Sequence, residues 1–323
     1  MVVIEEAAVA FRVLSGLFCV YKPAGLDKYV TRKRIISNLS SDLCELKCRP
    51  PTKHVFIEGD PEKALTVTVG PSYADMPEVV GPRYLPKDII CQWATHIGKR
   101  TSGVFVFGVG KGGIRSALKF DESRPLRVYH VSARLGQATD TCFISPFSKV
   151  IEKASYKAVR RTGIDRILAA LQANHQQQAF QQIGVDPQSQ AAYDLAVKGP
   201  IRPLIRKLPV IYGLKCIDFN PPEFTVEVHC INENEDFLAH LMLDAAMKHH
   251  TLAACTSIRC IRHGPFTFHD ALLQKHWRLP HVLDSIAKCR DILKQQVEVK
   301  PQLQPIVPLN EEIPAVKGAF LES

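Results

Sequence analysis

One stretch constrains the fold of this 323-residue chain more than any other. The apolar run Val104-Phe105-Val106-Phe107 leads directly into Gly108-Val109-Gly110-Lys111-Gly112-Gly113, and a helical pattern follows from Ile114 to Phe120. A strand that enters a helix through G-x-G-x-x-G suggests a dinucleotide-binding unit, which also needs an acidic residue at the end of the next strand, about 20 residues on. That strand reads Val128-Tyr129-His130-Val131 and supplies none. The glycines are therefore read as shaping a tight strand-to-helix turn, and a doubly wound fold is set aside.

The other elements do not alternate as βαβ units either. Gly16 to Tyr21 reads as a short apolar strand stopped by Lys22-Pro23-Ala24-Gly25, where Pro and Gly punctuate a turn. A basic, helical stretch follows Asp27, and Ala64 to Val69 is strand-like. Arg127 to Leu135 reads as a strand, and Tyr156 to Gln172 contains a helix, with Ile167, Leu168 and Leu171 at helical spacing. A Gln-rich segment is expected to be a loop, and a second helix from about Gln188 to Lys198 stops at Gly199-Pro200. Val210 to Phe219 and Phe224 to Cys230 read as strands joined by Asn220-Pro221-Pro222. Asp236 to Lys248 is helical, and strands are expected at Ser257 to Arg262 and Phe266-Thr267. Strands and helices mixed in this way predict an α+β domain with a largely antiparallel sheet. Residues 1–290 are assigned to that domain, and 291–323, with Pro301, Pro305, Pro308 and Pro314, to a flexible tail.

Forty-one Lys and Arg against 32 Asp and Glu give a formal charge of +9, which favours polyanionic partners through phosphate contacts and counterion release. The ten cysteines form no paired framework, so reduced thiols are expected. No apolar run approaches the roughly 20 residues of a membrane-spanning helix. Cys44, Cys48 and His54 offer three zinc ligands where a structural site needs four, and no metal is expected. No serine carries a G-x-S-x-G elbow, which leaves hydrolase readings weak.

Taken in order, several segments resemble the TruB family of RNA pseudouridine synthases. Gly16 to Gly25 looks like the opening strand with its Lys-Pro-x-Gly turn, and Thr101 to Gly108 is similar to the second half of the catalytic motif. Tyr129 followed by Leu135-Gly136-Gln137-Ala138-Thr139-Asp140 is the strongest match. Tyr193 to Gly199, Phe224 to Cys230 and Gly264-Pro265-Phe266-Thr267 resemble later segments, and Gly199-Pro200-Ile201-Arg202-Pro203 together with Pro221-Pro222-Glu223-Phe224 resembles the mitochondrial branch.

The resemblance implies a pseudouridine-synthase-like sheet with flanking helices and a central RNA-binding cleft. It implies isomerisation of a uridine flipped out of tRNA, rRNA or mRNA, with neither metal nor cofactor, in a monomeric protein of mitochondria. It places Tyr129 where the family stacks a tyrosine on the base, Lys22 in the turn beneath the site, and Lys22, Lys99, Arg100, Lys198 and Arg202 among the RNA-binding cations. One departure is decisive for activity: the catalytic aspartate of the motif falls at Gly98, which has no side chain to attack or to stabilise charge. Asp88 and Asp140 are the nearest substitutes in sequence, and Ala239 aligns where an arginine ordinarily faces the aspartate. Whether the chain is an active synthase or a silent RNA-binding relative stays open on the sequence.

Overall fold

The structure, a computed structural model, describes residues 4–48, 52–60, 62, 64–73, 76–197 and 208–298. In chain order its helices are α1 (Ala7–Val13), α2 (Lys28–Glu45), α3 (Pro77–Val80), α4 (Gly110–Glu122), α5 (Arg161–Ile183), α6 (Gln190–Val197), α7 (Glu235–Met247) and α8 (Leu279–Glu298). Its strands are β1 (Gly16–Lys22), β2 (Lys53–Glu58), β3 (Thr66–Pro71), β4 (Cys91–Trp93), β5 (Thr101–Val109), β6 (Arg127–Leu135), β7 (Gln137–Thr139), β8 (Val150–Lys153), β9 (Val210–Asn220), β10 (Glu223–Ile231), β11 (Ala253–His263) and β12 (Phe266–Thr267).

Eight strands form one sheet in the order β1-β5-β11-β6-β10-β9, with β4 added to β5 and β12 to β11. Its pairs are antiparallel except β5 with β11. The α+β class with a largely antiparallel sheet is thus observed. The parallel contact is confined to Thr101–Gly103 against Ile258–Cys260, at the mouth of β5. There Gly103 has φ 115°, and a Cβ on it would lie 2.7 Å from the carbonyl carbon of Cys260, so only glycine lets the two strands approach.

The glycine run does shape a strand-to-helix turn. A Cβ on Gly108 would sit 2.6 Å from the Gly113 carbonyl carbon, and one on Gly113 would sit 2.8 Å from the Gly16 nitrogen, so α4 lies close against β5 and β1. Beneath it the core closes around Phe18, Phe105, Phe107, Phe224, Phe266 and Trp277, all buried.

Two expectations need correction. The Gln-rich segment is helical: α5 continues to Ile183 and is closed by Gly184 in the left-handed conformation. Gln172 Oε1 accepts from Leu214 N at 2.9 Å and Gln176 Nε2 donates to Tyr212 O at 3.2 Å. β9 ends the sheet, and these amides satisfy backbone groups on its open edge, a tertiary role that composition does not reveal. The second correction is at the C-terminus, where α8 reaches Glu298, so 291–298 of the segment assigned to the tail are helical. No helix among the described residues is long and apolar enough to cross a membrane.

Candidate active site

Two loops meet at the mouth of β5. One leads from β4 through Thr95 to Arg100, and the other leads from β10 into α7. Arg127, on β6, ties them together: its Nη1 donates to His96 O at 2.9 Å and its Nη2 to Glu233 O at 3.4 Å, while its Nε pairs with Glu233 Oε1 at 2.5 Å. Tyr129 Oη donates to the same Glu233 oxygen at 2.6 Å. The pair is sealed, with Arg127 and Glu233 side chains 7% and 1% exposed. Burial works against the guanidinium, but Glu233 beside it holds its pKa above the ordinary value. Burial likewise pushes the Tyr129 phenol up.

From the other side the 99–101 backbone is held by Lys22. Its Nζ donates to Thr101 O at 2.7 Å, to Lys99 O at 3.0 Å and to Pro23 O at 3.3 Å. Gly25 N also donates to Lys99 O at 2.9 Å, so the Lys-Pro-x-Gly turn is bound directly to the loop that ends in Gly98-Lys99-Arg100. This corrects the expectation that Lys22 contacts RNA. The ammonium has three donors, all are used internally, and the side chain is fully buried. Burial lowers its pKa to about 8, with the charge of Glu235 acting in the opposite direction.

Glu235 was not anticipated from the sequence. It is the first residue of α7, whose N-terminus is capped by Asn234 Oδ1 accepting from Phe237 N at 2.7 Å. Its side chain reaches across to Gly98. A Cβ built on Gly98 would fall 2.6 Å from Glu235 Cδ and 2.7 Å from its Cβ, and would collide with Oε2. Gly98 is not among the glycines with positive φ, so what excludes a side chain there is the Glu235 side chain, its Cβ included, and not backbone strain. Oε2 accepts from Thr101 N at 2.8 Å and from Thr101 Oγ1 at 3.0 Å. Oε1 faces Arg100 Nε at 3.8 Å, beyond hydrogen-bond reach. The side chain is 14% exposed and that of Arg100 37%.

The two aspartates weighed as substitutes are engaged elsewhere. Asp88 Oδ2 accepts from Leu85 N at 2.9 Å and Asp140 Oδ1 from Lys149 N at 3.1 Å, each bracing an exposed local turn. Ala239 is buried within α7. Lys99 is exposed on the loop, and the Arg100 guanidinium lies 5.3 Å from the Phe143 ring centre. Lys198 and Arg202 lie outside the described residues. Tyr129, expected to stack on a base, lines the buried pair and is 3% exposed.

A rim of cations and rings adjoins the loop. Lys28 Nζ lies 5.2 Å from the ring centres of both Tyr29 and Trp93 and 3.0 Å from His96 Nδ1. Burial, then the charges of Lys28 and Arg127, lower the His96 pKa. Tyr29 meets Trp93 edge-on at 5.1 Å and is exposed. On the neighbouring strands Arg259 covers Tyr21 and Phe268 at 5.6 and 5.3 Å.

A partly buried carboxylate near a rim of cations and aromatic rings suits contact with a nucleic acid. The comparisons make the class specific. The profile "TruB family pseudouridylate synthase (N terminal domain)" matches residues 96–234. The chain is similar to "Pseudouridylate synthase TRUB2, mitochondrial" of Xenopus tropicalis, with 36% identity over 287 residues, 87% of each chain. The human protein of the same name is 35% identical over 280 residues, 84% of this chain and 83% of that one. Among solved structures, "Crystal structure of the archaeal box H/ACA sRNP Nop10-Cbf5 complex" is similar with a TM-score of 0.45 and 10% identity. That likeness covers 86% of this chain and 60% of that chain, less than two thirds of its length. This chain belongs to the TruB family of pseudouridylate synthases.

Proposed function

We propose that this chain binds structured RNA across the rim formed by Lys28, Tyr29, Trp93, Lys99 and Arg100, and isomerises a uridine brought to a pocket that opens between Gly98 and Glu235 on binding. The observation that carries the reading is the double anchoring of the 95–101 loop. Lys22 and Arg127 spend buried charge on its carbonyls, which fixes the backbone at the position where the family performs its chemistry. Such preorganisation is expected where reacting atoms must be positioned. The reaction is an isomerisation, which consumes no co-reactant and calls for neither metal nor organic cofactor. Tyr129 is proposed to face the base once the pocket is filled, and Lys198 and Arg202 to extend the phosphate track. The names of the relatives support a mitochondrial location.

A second reading, RNA binding without isomerisation, is favoured by the loss of the side chain at Gly98. The two readings separate on RNA labelled with tritium at uridine C5, because that hydrogen must leave when C5 bonds to the sugar. Tritium release at single turnover, together with salt-dependent binding, supports the synthase. Binding with no release leaves the second reading standing.

A further inference from the structure

We propose that Glu235 supplies the carboxylate that the TruB motif ordinarily carries at position 98. The inference rests on the reading of this pocket as a uridine site. The acid is delivered from the N-terminus of α7, 137 positions along the chain, into the volume that the missing side chain vacates.

The arrangement differs from that of a space-filling residue in three respects. First, an apolar side chain would fill the gap above Gly98 without the cost of partly desolvating a charge. Second, among the described residues the carboxylate accepts hydrogen bonds through one of its oxygens. Oε2 takes both Thr101 hydrogen bonds, while Oε1 is turned toward a half-exposed guanidinium at 3.8 Å and is left for another partner. Third, the carboxylate stands at the N-terminus of α7, where the helix dipole is positive, with the Arg100 guanidinium facing it. Arg100 thereby takes the place of the cation that Ala239 does not provide.

With a uridine in the pocket, Oε1 meets C1′ on the face opposite the base. The N1–C1′ bond breaks with its electron pair left on uracil, and the Glu235 oxygen bonds C1′ or balances its positive charge. Uracil turns, C5 donates a pair to C1′, and the carboxylate is released unchanged. A proton then leaves C5 and N1 takes one up, so atoms and charge balance without a further reactant.

The test uses the full chain and RNA tritiated at uridine C5, with binding measured in parallel by fluorescence anisotropy. Wild-type protein is expected to release tritium. Glu235→Gln, which keeps an acceptor for Thr101 N, is expected to bind RNA within about twofold of wild type but to react at least roughly 1,000-fold more slowly. Because Glu235→Gly removes the Cβ as well as the carboxylate that crowd Gly98, combining it with Gly98→Asp returns a carboxylate to the site from the other side. That double variant is expected to react at least about tenfold faster than Glu235→Gly alone. Release by Glu235→Gln at the wild-type rate overturns the assignment. So does wild-type protein that binds RNA and releases nothing, an outcome that leaves RNA binding intact. Failure of wild-type protein to bind RNA removes the pocket reading and this inference together.

Discussion

Glu233 and Glu235 stand two residues apart and each meets an arginine, yet the two pairs are built for different ends. The Glu233–Arg127 pair is sealed, short and shared with Tyr129 and two backbone carbonyls, so its charge is consumed in joining two loops. The Glu235–Arg100 pair is long and open, and both partners keep capacity unspent. The turn from β10 into α7, with Asn232 in the left-handed conformation, sends one acid into the core and the other over Gly98. A buried pair that is broken by removing one partner leaves an uncompensated charge, whereas a loose pair at the edge contributes little to stability. The difference separates scaffold from site.

The largest effect on stability should therefore come from the sealed pair. Glu233→Gln or Arg127→Met is expected to lower unfolding free energy by about 3–5 kcal/mol in urea titrations, whereas Glu235→Gln should cost about 1 kcal/mol or less. Equal costs would abolish the distinction between the pairs.

Next in size is Lys22. Lys22→Met leaves three carbonyls without their donor and is expected to cost about 3 kcal/mol at pH 7. The sign with pH follows from its lowered pKa. The unfolded chain holds this proton up to about 10.5 and the folded chain only to about 8, so between those values the unfolded state binds more protons. The pH-dependent part of the Lys22 contribution is present in full above pH 10.5 and is lost as pH falls through 8, where only the hydrogen-bonding part remains. The stability difference between wild type and Lys22→Met should therefore widen by about 1–2 kcal/mol from pH 7.5 to 9.5. A difference that stays flat would mean that the amine does not titrate in that window.

Gly98→Asp alone comes third. It restores the residue of the motif, but the new side chain would collide with Glu235 and set two carboxylates together. The expected outcome is a loss of about 2 kcal/mol by thermal unfolding and no gain in tritium release. A gain would show that the pocket lacks its carboxylate in the wild type. The smallest effect is at Arg100, where Arg100→Ala should leave stability within about 0.5 kcal/mol. It should weaken RNA binding and reduce its slope against salt by about 1.

These expectations also mark what could be read without coordinates. The strand carrying Val104 to Phe107, the turn at Lys22-Pro23 and the helix that begins near Asp236 were legible because periodicity, Pro and Gly signals and a family pattern are all local. The absence of a side chain at Gly98 was legible for the same reason. The replacement was not. In the sequence Asn234-Glu235-Asp236 is an ordinary helix start, a cap followed by acids that favour the first turn. Only the pairing of β11 with β5, and Arg127 reaching both loops, bring that helix end to Gly98. Lys22 was misjudged for a related reason. A lysine beside a turn reads as exposed, and its burial follows from carbonyls up to 79 positions away. A glycine where the motif carries its aspartate and an acid at a helix start, considered together, are the signal that would have suggested Glu235.

The most direct measurement is a structure of the wild-type protein with RNA whose target uridine is held in the pocket. The account predicts Glu235 Oε1 about 3–3.5 Å from C1′ of that uridine, with Oε2 still bonded to Thr101. A sugar that faces another acid, or a uridine kept out of the space above Gly98 by Glu235, would contradict it.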